Sequence, residues 1–326
     1  MITTEIRNFL KESSILVTGG AGFIGSNIVH NLAGIGVKRL VVLDDLSTGF
    51  KENLQGIEEG KDFEFIQGSI TDYQTCLKAT EGIEVVFQLA ALGSVPRSID
   101  NPLASNEVNV TGFLNVLNAA RENKVKRIVY SSSSSVYGDD TNLPKVESKT
   151  GNPLSPYAVT KVSNELYART FSDLFDIDIV GLRYFNVFGP RQNIKGPYAA
   201  VIPIFISNLL NGEQCYINGD GNISRDFTFV QNVVEANFCA AYAKVDIPDK
   251  IFNIAMGNQL SLNELYDALE SEIQSGLEPI HREQRKGDIL SSLADISRAQ
   301  EYLKYKPTHP LKEGLLKTIN WYREKK

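Results

Sequence analysis

Tyr157 and Lys161 have the residue types and the spacing for proton transfer. They lie four positions apart in YAVTK (157–161), so a helix places the phenol and the ammonium on one face, about one turn apart. A phenol with a pKa of about 10 is a poor base at neutral pH, but a neighbouring cation favours the phenolate. Taken alone, the pair also fits an exposed Tyr and Lys on an amphipathic helix. The neighbouring elements must therefore show whether the pair is catalytic.

A run of five serines, 131–135, could supply a hydroxyl beside such a base. The run follows the apolar segment RIVY and precedes VYG (136–138). Hydroxyls at the carboxyl end of a strand can donate and accept hydrogen bonds while an alcohol becomes a ketone and back. Five serines also fit a polar loop. Ser133 lies 24 positions before Tyr157, and this pairing favours Ser133 as the catalytic hydroxyl.

Gly19, Gly22 and Gly25 form a G-x-x-G-x-x-G spacing directly after the apolar run ILVT. Glycines permit a tight turn and a close approach of pyrophosphate to the N-terminus of the following helix. About twenty residues later Asp44 ends a second apolar run, where a carboxylate can accept both ribose hydroxyls and would repel a 2′-phosphate. This context predicts a site for NAD rather than NADP. An oxidised nicotinamide near Tyr157 would further favour the phenolate.

The candidate residues lie at the ends of apolar runs that alternate with segments of helix length. Short runs rich in Val, Ile and Leu, separated by helical patterns, are typical of buried parallel strands with crossover helices. Six such runs occur in the first part of the chain: ILVTG, RLVVLDD, FEFIQG, VVFQLAA, RIVYSSS and DIVGLRYFNV. The sequence therefore predicts an α/β fold with a doubly wound parallel sheet of the Rossmann type.

The regular alternation stops after Phe188, where Pro and Gly residues cluster and later segments are shorter. We expect an NAD-binding Rossmann domain over 1–186 and a smaller mixed α/β C-terminal lobe over 187–326. A segment near 227–255 is expected to return to the first domain. Helical patterns in the second lobe are predicted at 202–210, 231–244, 261–274 and 311–322.

The composition excludes several other classes of protein. A formal net charge of −6 disfavours a basic surface for nucleic acid, and no apolar run reaches the roughly 18 residues of a membrane span. The N-terminal segment has acids where a secretion signal would be apolar, so a cytoplasmic location is expected. Cys76, Cys215 and Cys239 lack the spacing of a zinc or redox site, so we interpret them as reduced packing residues and predict no metal.

Together the glycine turn, the serine run and YAVTK resemble the extended short-chain dehydrogenase/reductase family, the NAD-dependent nucleotide-sugar epimerases and dehydratases. The resemblance covers essentially the whole chain. Eight runs are similar to the bacterial UDP-N-acetylglucosamine 4-epimerases: AALGSVPRS (90–98), LPKVE (143–147), LSPYAVTK (154–161), GLRYFNVFGPRQ (181–192), YAAVIP (198–203), YINGDG (216–221), SRDF (224–227) and SLADIS (292–297). The resemblance implies interconversion of UDP-N-acetylglucosamine and UDP-N-acetylgalactosamine through a 4-keto sugar, with NAD tightly bound.

The resemblance also implies roles for individual residues. In the implied catalytic triad, Tyr157 acts first as the base and then as the acid. Lys161 holds the nicotinamide ribose and stabilises the charge of Tyr157, and Ser133 shares a hydrogen bond with Tyr157. The implied cofactor residues are Gly19, Gly22, Phe23, Ile24, Gly25, Asp44, Ser69, Ala90, Ala91, Lys161 and Tyr184. The implied substrate residues, several in the second lobe, are Gly93, Ser133, Ser134, Tyr157, Asn186, Ala200, Val201, Tyr216, Arg225, Arg285, Asp288 and Ser292.

The substrate preference is expected to depend on Ser292. Epimerases restricted to unsubstituted hexoses carry a Tyr at this place in the family, and the loss of a ring opens room for an N-acetyl group. Gly93, Ala199 and Ala200 are small as well. Because apolar space rejects a smaller substrate poorly, the expectation is a preference for the acetamido sugar and not exclusivity.

The chain departs from the family at two places near the cofactor. Ser69 stands where an Asp usually bonds the adenine amine, so that contact is expected to be weak. Gln88 stands where a His often precedes the Ala pair, and the sequence assigns it no effect.

Three other functions compete with this interpretation. A dehydratase or decarboxylase would use an acid next to the catalytic hydroxyl, where this chain has Ser134 and Ser135. A 4-epimerase of UDP-glucuronate or of UDP-glucose shares every catalytic residue and stays a real alternative. A non-catalytic NAD-binding regulator could share the fold, but would not need the triad.

The resemblance implies a homodimer. Apolar residues mark the helical stretches 106–121 and 156–174, among them Phe113, Leu117, Leu166 and Leu174. Two such helices from each subunit would form a four-helix bundle.

Overall fold

The computed structural model describes residues 2–57, 62–194, 200–283 and 291–325. Its strands are β1 (Ser14–Thr18), β2 (Arg39–Asp44), β3 (Phe63–Gln67), β4 (Val85–Gln88), β5 (Arg127–Ser133), β6 (Asp178–Tyr184), β7 (Val187–Phe188), β8 (Tyr216–Asn218), β9 (Ser224–Arg225), β10 (Thr228–Phe229), β11 (Ile251–Ile254), β12 (Leu260–Ser261) and β13 (Ile280–Arg282). Its α-helices are α1 (Thr4–Lys11), α2 (Phe23–Ile35), α3 (Tyr73–Thr80), α4 (Val95–Asp100), α5 (Pro102–Asn106), α6 (Phe113–Glu122), α7 (Pro156–Leu174), α8 (Val201–Asn211), α9 (Val230–Tyr242), α10 (Leu262–Ile273) and α11 (Leu311–Glu324).

Within the described residues, seven strands form one parallel sheet in the order β11-β6-β5-β4-β1-β2-β3. The strands are rich in Val, Ile and Leu because helices cover both faces. The register pairs Thr18 with Gln88 and Ser133 with Tyr184, so the ends of β1, β4, β5 and β6 meet at one edge. The predicted Rossmann fold is confirmed, and its carboxyl edge collects the residues singled out in the sequence.

Two apolar layers hold the helices on the sheet. On one face α2 and α9 pack against residues such as Val17, Phe87 and Val129. On the other face α3, α6 and α7 pack against residues such as Leu16 and Ile128. The alternation of side chains along each strand produces these two layers, and it fixes which strand residues reach the site.

The smaller lobe combines short strand pairs with α8, α10 and α11. Strand β7 pairs with β10, β12 with β9 and β13 with β8, and a separate apolar cluster around Phe205 and Leu265 joins the helices. The four helices predicted in the second lobe occur as α8, α9, α10 and α11, with ends shifted by one or two residues. Strand β11 lies in the main sheet and α9 packs beside α2. The domain boundary at residues 186 and 187 stays a prediction.

Cys76, Cys215 and Cys239 are buried free thiols. Burial raises the pKa of Cys76 to about 12 and the pKa values of Cys215 and Cys239 to about 11. At neutral pH all three are protonated and pack as small apolar groups. None of the helices in the described part of the chain has the length and apolar character to cross a membrane.

Candidate active site

The glycine-rich turn between β1 and α2 leaves room for a phosphate group. Gly19 has a φ of +66°, and a Cβ there would lie 2.7 Å from a backbone nitrogen of the loop after β4. A Cβ at Gly25 would overlap the carbonyl oxygen of Gly19. Gly22 is the N-cap of α2, and among the described residues no side chain caps the helix. The N–H groups of the first turn, at Phe23 and Ile24, can therefore meet an anion, and the turn fits a pyrophosphate.

Asp44 ends β2 beside this turn, and its carboxylate helps to hold the turn. Oδ2 accepts the N–H of Ala21 at 2.9 Å, and Oδ1 accepts the N–H of Leu46 at 2.8 Å. Burial raises the pKa of Asp44, and these hydrogen bonds oppose the rise. Each oxygen keeps acceptor capacity for a ribose hydroxyl. Asn53, which the sequence did not single out, donates to Ala21 O at 2.9 Å and ties the loop after β2 to the turn.

Gln88, to which the sequence assigned no effect, fixes the loop after β4. Its amide oxygen accepts the hydroxyl of Thr18, and its Nε2 donates to Ala90 O at 3.2 Å. The N–H of Ala90 donates to Thr18 Oγ1 at 3.2 Å, which closes a ring of hydrogen bonds. Gln88 therefore holds the loop of Ala90 and Ala91 against the glycine turn. A lone Gln in an apolar run gave no sign of this role, because its partners lie on another strand.

Ser69 and Tyr184 lie at the same sheet edge, but their hydroxyls already have partners. Ser69 Oγ accepts the N–H and the hydroxyl of Thr71 at 3.3 and 3.0 Å. The phenol of Tyr184 exchanges hydrogen bonds with the Asn237 amide on α9, at 3.1 and 2.9 Å. Contact of Ser69 with adenine and of Tyr184 with the cofactor stay predictions.

Ser133, Tyr157 and Lys161 come together where β5 meets the first turns of α7. The serine hydroxyl accepts the N–H of Ser135 at 3.1 Å, and it lies near enough to the Tyr157 phenol to lower the pKa of that phenol. Ser155 caps α7 by accepting the N–H of Ala158 at 3.1 Å, and so sets where the helix begins. Lys161 Nζ lies 5.9 Å from the centre of the Tyr157 ring. The arrangement can take a proton from an alcohol and return it.

Burial works against both charges of this pair. It raises the pKa of Tyr157, and the neighbouring Ser133 hydroxyl opposes the rise. It also lowers the pKa of Lys161 to about 8, and the carboxylate of Glu165 opposes that change. Lys161 Nζ donates to Ser131 O at 2.8 Å, so its direction is fixed by the strand. An ammonium at neutral pH therefore faces the phenol and favours its ionised form.

Asn109 and Glu165 support the triad, and sequence reasoning missed both. Asn109 lies in a π-helical turn, 107–112, where its amide pairs with the backbone of Leu92 at 2.7 and 3.2 Å and donates to Thr160 at 3.1 Å. Glu165 accepts the hydroxyl of Ser132 at 2.6 Å and two donors of a buried arginine on β6 at 2.9 Å. The sequence does carry one signal for Glu165, because it follows Lys161 by about one helical turn and so lies on the same face of the helix.

A cavity of about 250 Å³ opens between the end of β6, α8 and β9. Four of its lining residues are predicted substrate residues: Asn186, Ala200, Val201 and Arg225. The remaining lining residues are Val187, Phe188, Ile202, Asn218, Ile223, Phe227 and Leu262. Apolar walls with an arginine fit a nucleotide base joined to phosphate.

Ser292 lies beside this cavity and is bonded to its wall. Its Oγ accepts Asn186 Nδ2 at 3.2 Å and the N–H of Asp226 at 3.4 Å. Asn186 has a φ of +35°, in the region that most side chains avoid, so the link between β6 and β7 is sharply bent there. The structure thus joins Ser292 to another predicted substrate residue through a direct hydrogen bond.

The other predicted substrate residues are less closely grouped. Tyr216 is 41% exposed, and the guanidinium of Arg282 lies 3.2 Å from the centre of its ring. Gly93 is exposed, and a Cβ there would have nothing within 4 Å. Ser134 is half-buried in the 3-10 turn after β5. Arg285 and Asp288, like Ala199, lie outside the described residues, so their roles stay predictions.

Comparisons with known proteins give one consistent family. The model of the NAD dependent epimerase/dehydratase family matches residues 15–255. A UDP-glucose 4-epimerase of Mycolicibacterium smegmatis is 41% identical over 312 residues, which cover 95% of this chain and 98% of that protein.

Two solved structures are similar over nearly the full chain. A UDP-N-acetylglucosamine 4-epimerase from Methanobrevibacter ruminantium, in complex with UDP-N-acetylmuramic acid, has a TM-score of 0.92 and 39% identity, covering 97% of this chain and all of its own. A UDP-glucose 4-epimerase from Thermotoga maritima, with UDP-glucose, has a TM-score of 0.89 and 35% identity, covering 96% and 99%.

Proposed function

The chain belongs to the NAD dependent epimerase/dehydratase family, and on that premise we propose that it interconverts UDP-N-acetylglucosamine and UDP-N-acetylgalactosamine. Its cofactor is NAD, which the glycine turn, the uncapped α2 and Asp44 fit. The observation that carries the proposal is the meeting of Ser133, Tyr157 and Lys161 at the sheet edge. Nucleotide-sugar 4-epimerases among its relatives support the reaction class.

The triad performs the proton transfers. Tyr157 removes the proton of the sugar 4-hydroxyl, Ser133 holds that hydroxyl and the phenol in one hydrogen-bonded line, and Lys161 stabilises the negative charge. When bound, NAD supplies the two-electron oxidation of the sugar at C4 and its reversal. Tyr157 would return the proton to the 4-oxygen once the sugar has turned over in the site. Because no net oxidation occurs, the protein has to retain its NAD and not exchange it.

The acetamido substrate is proposed from the small side chains beside the cavity. Ser292 presents only a hydroxyl, which is bonded to Asn186, and Gly93 borders open space. A larger side chain in place of Ser292 would fill volume that an N-acetyl group needs. The alternatives are UDP-glucose and UDP-glucuronate, which the same triad would epimerise.

Dehydration is disfavoured by the residues that follow the catalytic hydroxyl. Ser134 and Ser135 cannot act as the carboxyl acid and base that eliminate water. Ser135 Oγ is buried and has no hydrogen-bond partner among the described residues.

The test is a direct assay of the purified protein without added NAD. UDP-N-acetylglucosamine, UDP-glucose and UDP-glucuronate are incubated separately, and the products are separated by chromatography. Fastest formation of UDP-N-acetylgalactosamine supports the retained cofactor and the acetamido preference. Faster turnover of either other sugar keeps the epimerase reaction and removes the preference. No turnover even with NAD supplied would favour a non-catalytic NAD-binding regulator.

We also propose a homodimer formed through α7 and the helical segment that runs from α5 to α6. Phe113 and Leu117 are buried within the monomer, so they do not form the contact. In contrast, Leu103, Leu166 and Leu174 are 82%, 63% and 69% exposed, and a second copy would cover them as a four-helix bundle. A monomer in sedimentation at micromolar concentration would refute the dimer. The cytoplasmic location also stays a prediction.

A further inference from the structure

Asp226 is a fully buried carboxylate that joins separate segments of the small lobe. Its Oδ1 accepts the N–H of Met256 at 3.0 Å. Its Oδ2 accepts the N–H groups of Gly257 and Ala294 at 3.0 and 3.3 Å. The residue is 0% exposed. The segments after β9, after β11 and before Ile296 therefore meet on one side chain.

The arrangement requires an acid and not an amide. Two carboxylate oxygens accept three N–H groups without presenting a donor, whereas the NH2 of an Asn would face at least one of them. The successive N–H groups of Met256 and Gly257 both point to this carboxylate, as in other backbone sites that bind an anion. A buried charge is costly, so its placement indicates that these segments must be held together closely.

The backbone of Asp226 touches the proposed substrate residues directly. Its carbonyl oxygen accepts Asn186 Nδ2 at 3.0 Å, and its N–H donates to Ser292 Oγ at 3.4 Å. Arg225 precedes it in the chain, and Ala294, which the carboxylate binds, follows Ser292 by two positions. A displacement of Asp226 would therefore move Asn186, Arg225 and Ser292 together.

We propose that Asp226 is the positioning residue of the nucleotide-sugar subsite, which sets the mutual placement of Asn186, Arg225 and Ser292. The inference rests on the proposed function, in which these three residues bind the UDP-sugar. Asp226 is buried away from the reacting atoms, so it acts through these neighbours. Its removal should weaken substrate binding more than it slows the bound complex, and should leave NAD retention unchanged.

The experiment compares D226N with the control variant E235Q. Glu235 is also a buried carboxylate, but on α9, where it accepts the hydroxyl of Thr308 at 3.0 Å and lies 3.3 Å from His309 Nε2. Retained NAD, the Kd of UDP by calorimetry, and KM and kcat for UDP-N-acetylglucosamine and UDP-glucose are measured. The amide of D226N would face one N–H group with a donor and displace the backbone of the subsite, so D226N should raise the Kd of UDP and the KM about tenfold or more.

For D226N we expect a kcat within about threefold of the wild type, full NAD retention and a smaller preference for the acetamido sugar. E235Q should have near wild-type values in every measurement. Unchanged Kd and KM in D226N overturn the inference. So does a loss of NAD or kcat as large as the change in KM, because that marks a general structural role.

If D226N fails to fold, a second variant, D226E, tests the inference. D226E keeps both acceptors but adds a methylene, which shifts the anchored backbone. Folded D226E with normal NAD content and weaker UDP binding supports the inference, and wild-type UDP binding overturns it. If UDP binding is weaker in these variants but the wild type converts no UDP-sugar, the proposed epimerase function fails and the positioning role of Asp226 stands.

Discussion

The phenol of Tyr157 lies in surroundings that disfavour its ionised form, although the proposed chemistry uses that form. Burial raises its pKa, and the Ser133 hydroxyl opposes that rise. Lys161 Nζ lies 5.9 Å from the centre of the ring, where a positive charge would stabilise the phenolate. The same burial lowers the pKa of Lys161 to about 8. The charge states of the two side chains are therefore mutually dependent, and a change at one should alter the ionisation of the other.

Replacement of Tyr157 by Phe removes the proposed base and acid without changing the volume of the ring. We expect turnover of the best UDP-sugar to fall by about 10²–10⁴-fold while NAD stays bound. The control is Y167F, an exposed tyrosine on the same helix, which should retain wild-type turnover. Near-normal turnover of Y157F, measured by product chromatography, would remove Tyr157 from the mechanism.

Replacement of Glu165 by Gln should move the alkaline limb of the pH–rate profile. Lys161 is an ammonium below a pKa of about 8, so its help to the phenolate is present below that pH and is lost as the pH rises through it. Glu165 raises this pKa, and without its charge Arg183 on β6 loses this ion pair. Both changes lower the pKa of Lys161, so the limb should shift to lower pH.

The measurement is kcat against pH between about 6 and 10, a range that brackets the titration of Lys161. D173N on the same helix removes an exposed carboxylate that faces Arg169 and serves as the control. A profile of E165Q that coincides with the wild type would show that Glu165 only holds the helix in place.

Replacement of Ser292 by Tyr should depress the acetamido sugars far more than UDP-glucose. The ring would occupy space beside the cavity and would break the hydrogen bond to Asn186. Because lost space excludes the larger sugar, the ratio of kcat/KM for UDP-N-acetylglucosamine to that for UDP-glucose should fall by at least about tenfold. Equal losses for both sugars would show that Ser292 does not select the substrate.

At the scale of elements, the contact between α2 and β1 depends on a glycine with no room for a side chain. Gly25 faces the carbonyl of Gly19, so G25A should push the helix away from the turn and lose NAD retention. G34A lies in the same helix, where a Cβ meets nothing within 4 Å, and it should retain NAD with equal or slightly higher stability. Absorbance of the nucleotide released from each purified variant provides the measurement.

Sequence patterns could predict the elements because their signals are local. The glycine spacing, the four-residue separation of Tyr157 and Lys161, and six of the sheet strands are visible within short windows. The bonds of Gln88, Asn109 and Asp226 were not predictable, because they reach partners on other elements up to 70 positions away. A lone buried amide or acid carries no pattern that names its partner.

At the scale of the whole molecule, the chain of the smaller lobe is connected to the main sheet through β11. Strand β11 pairs with β6 in the main sheet, and the chain on either side of the 230–254 segment belongs to the smaller lobe. We expect a single cooperative unfolding transition. The one tryptophan, Trp321 on α11, reports on the smaller lobe, and far-ultraviolet circular dichroism reports on the whole chain. Coincident midpoints are expected, and separate midpoints would show that the lobes unfold independently.

The late position of β11 in the chain has a consequence for biosynthesis. Ile251 follows Tyr184 by 67 positions, so β1 to β6 are synthesised well before β11. Until β11 is available, the edge of β6 with which it pairs stays open. An open strand edge is a template for pairing with another chain. On crowded polysomes, neighbouring nascent chains would present the same edge to each other until residues 251–254 emerge. Slow translation between β6 and β11 should therefore lower the soluble yield, and faster codons there should raise it.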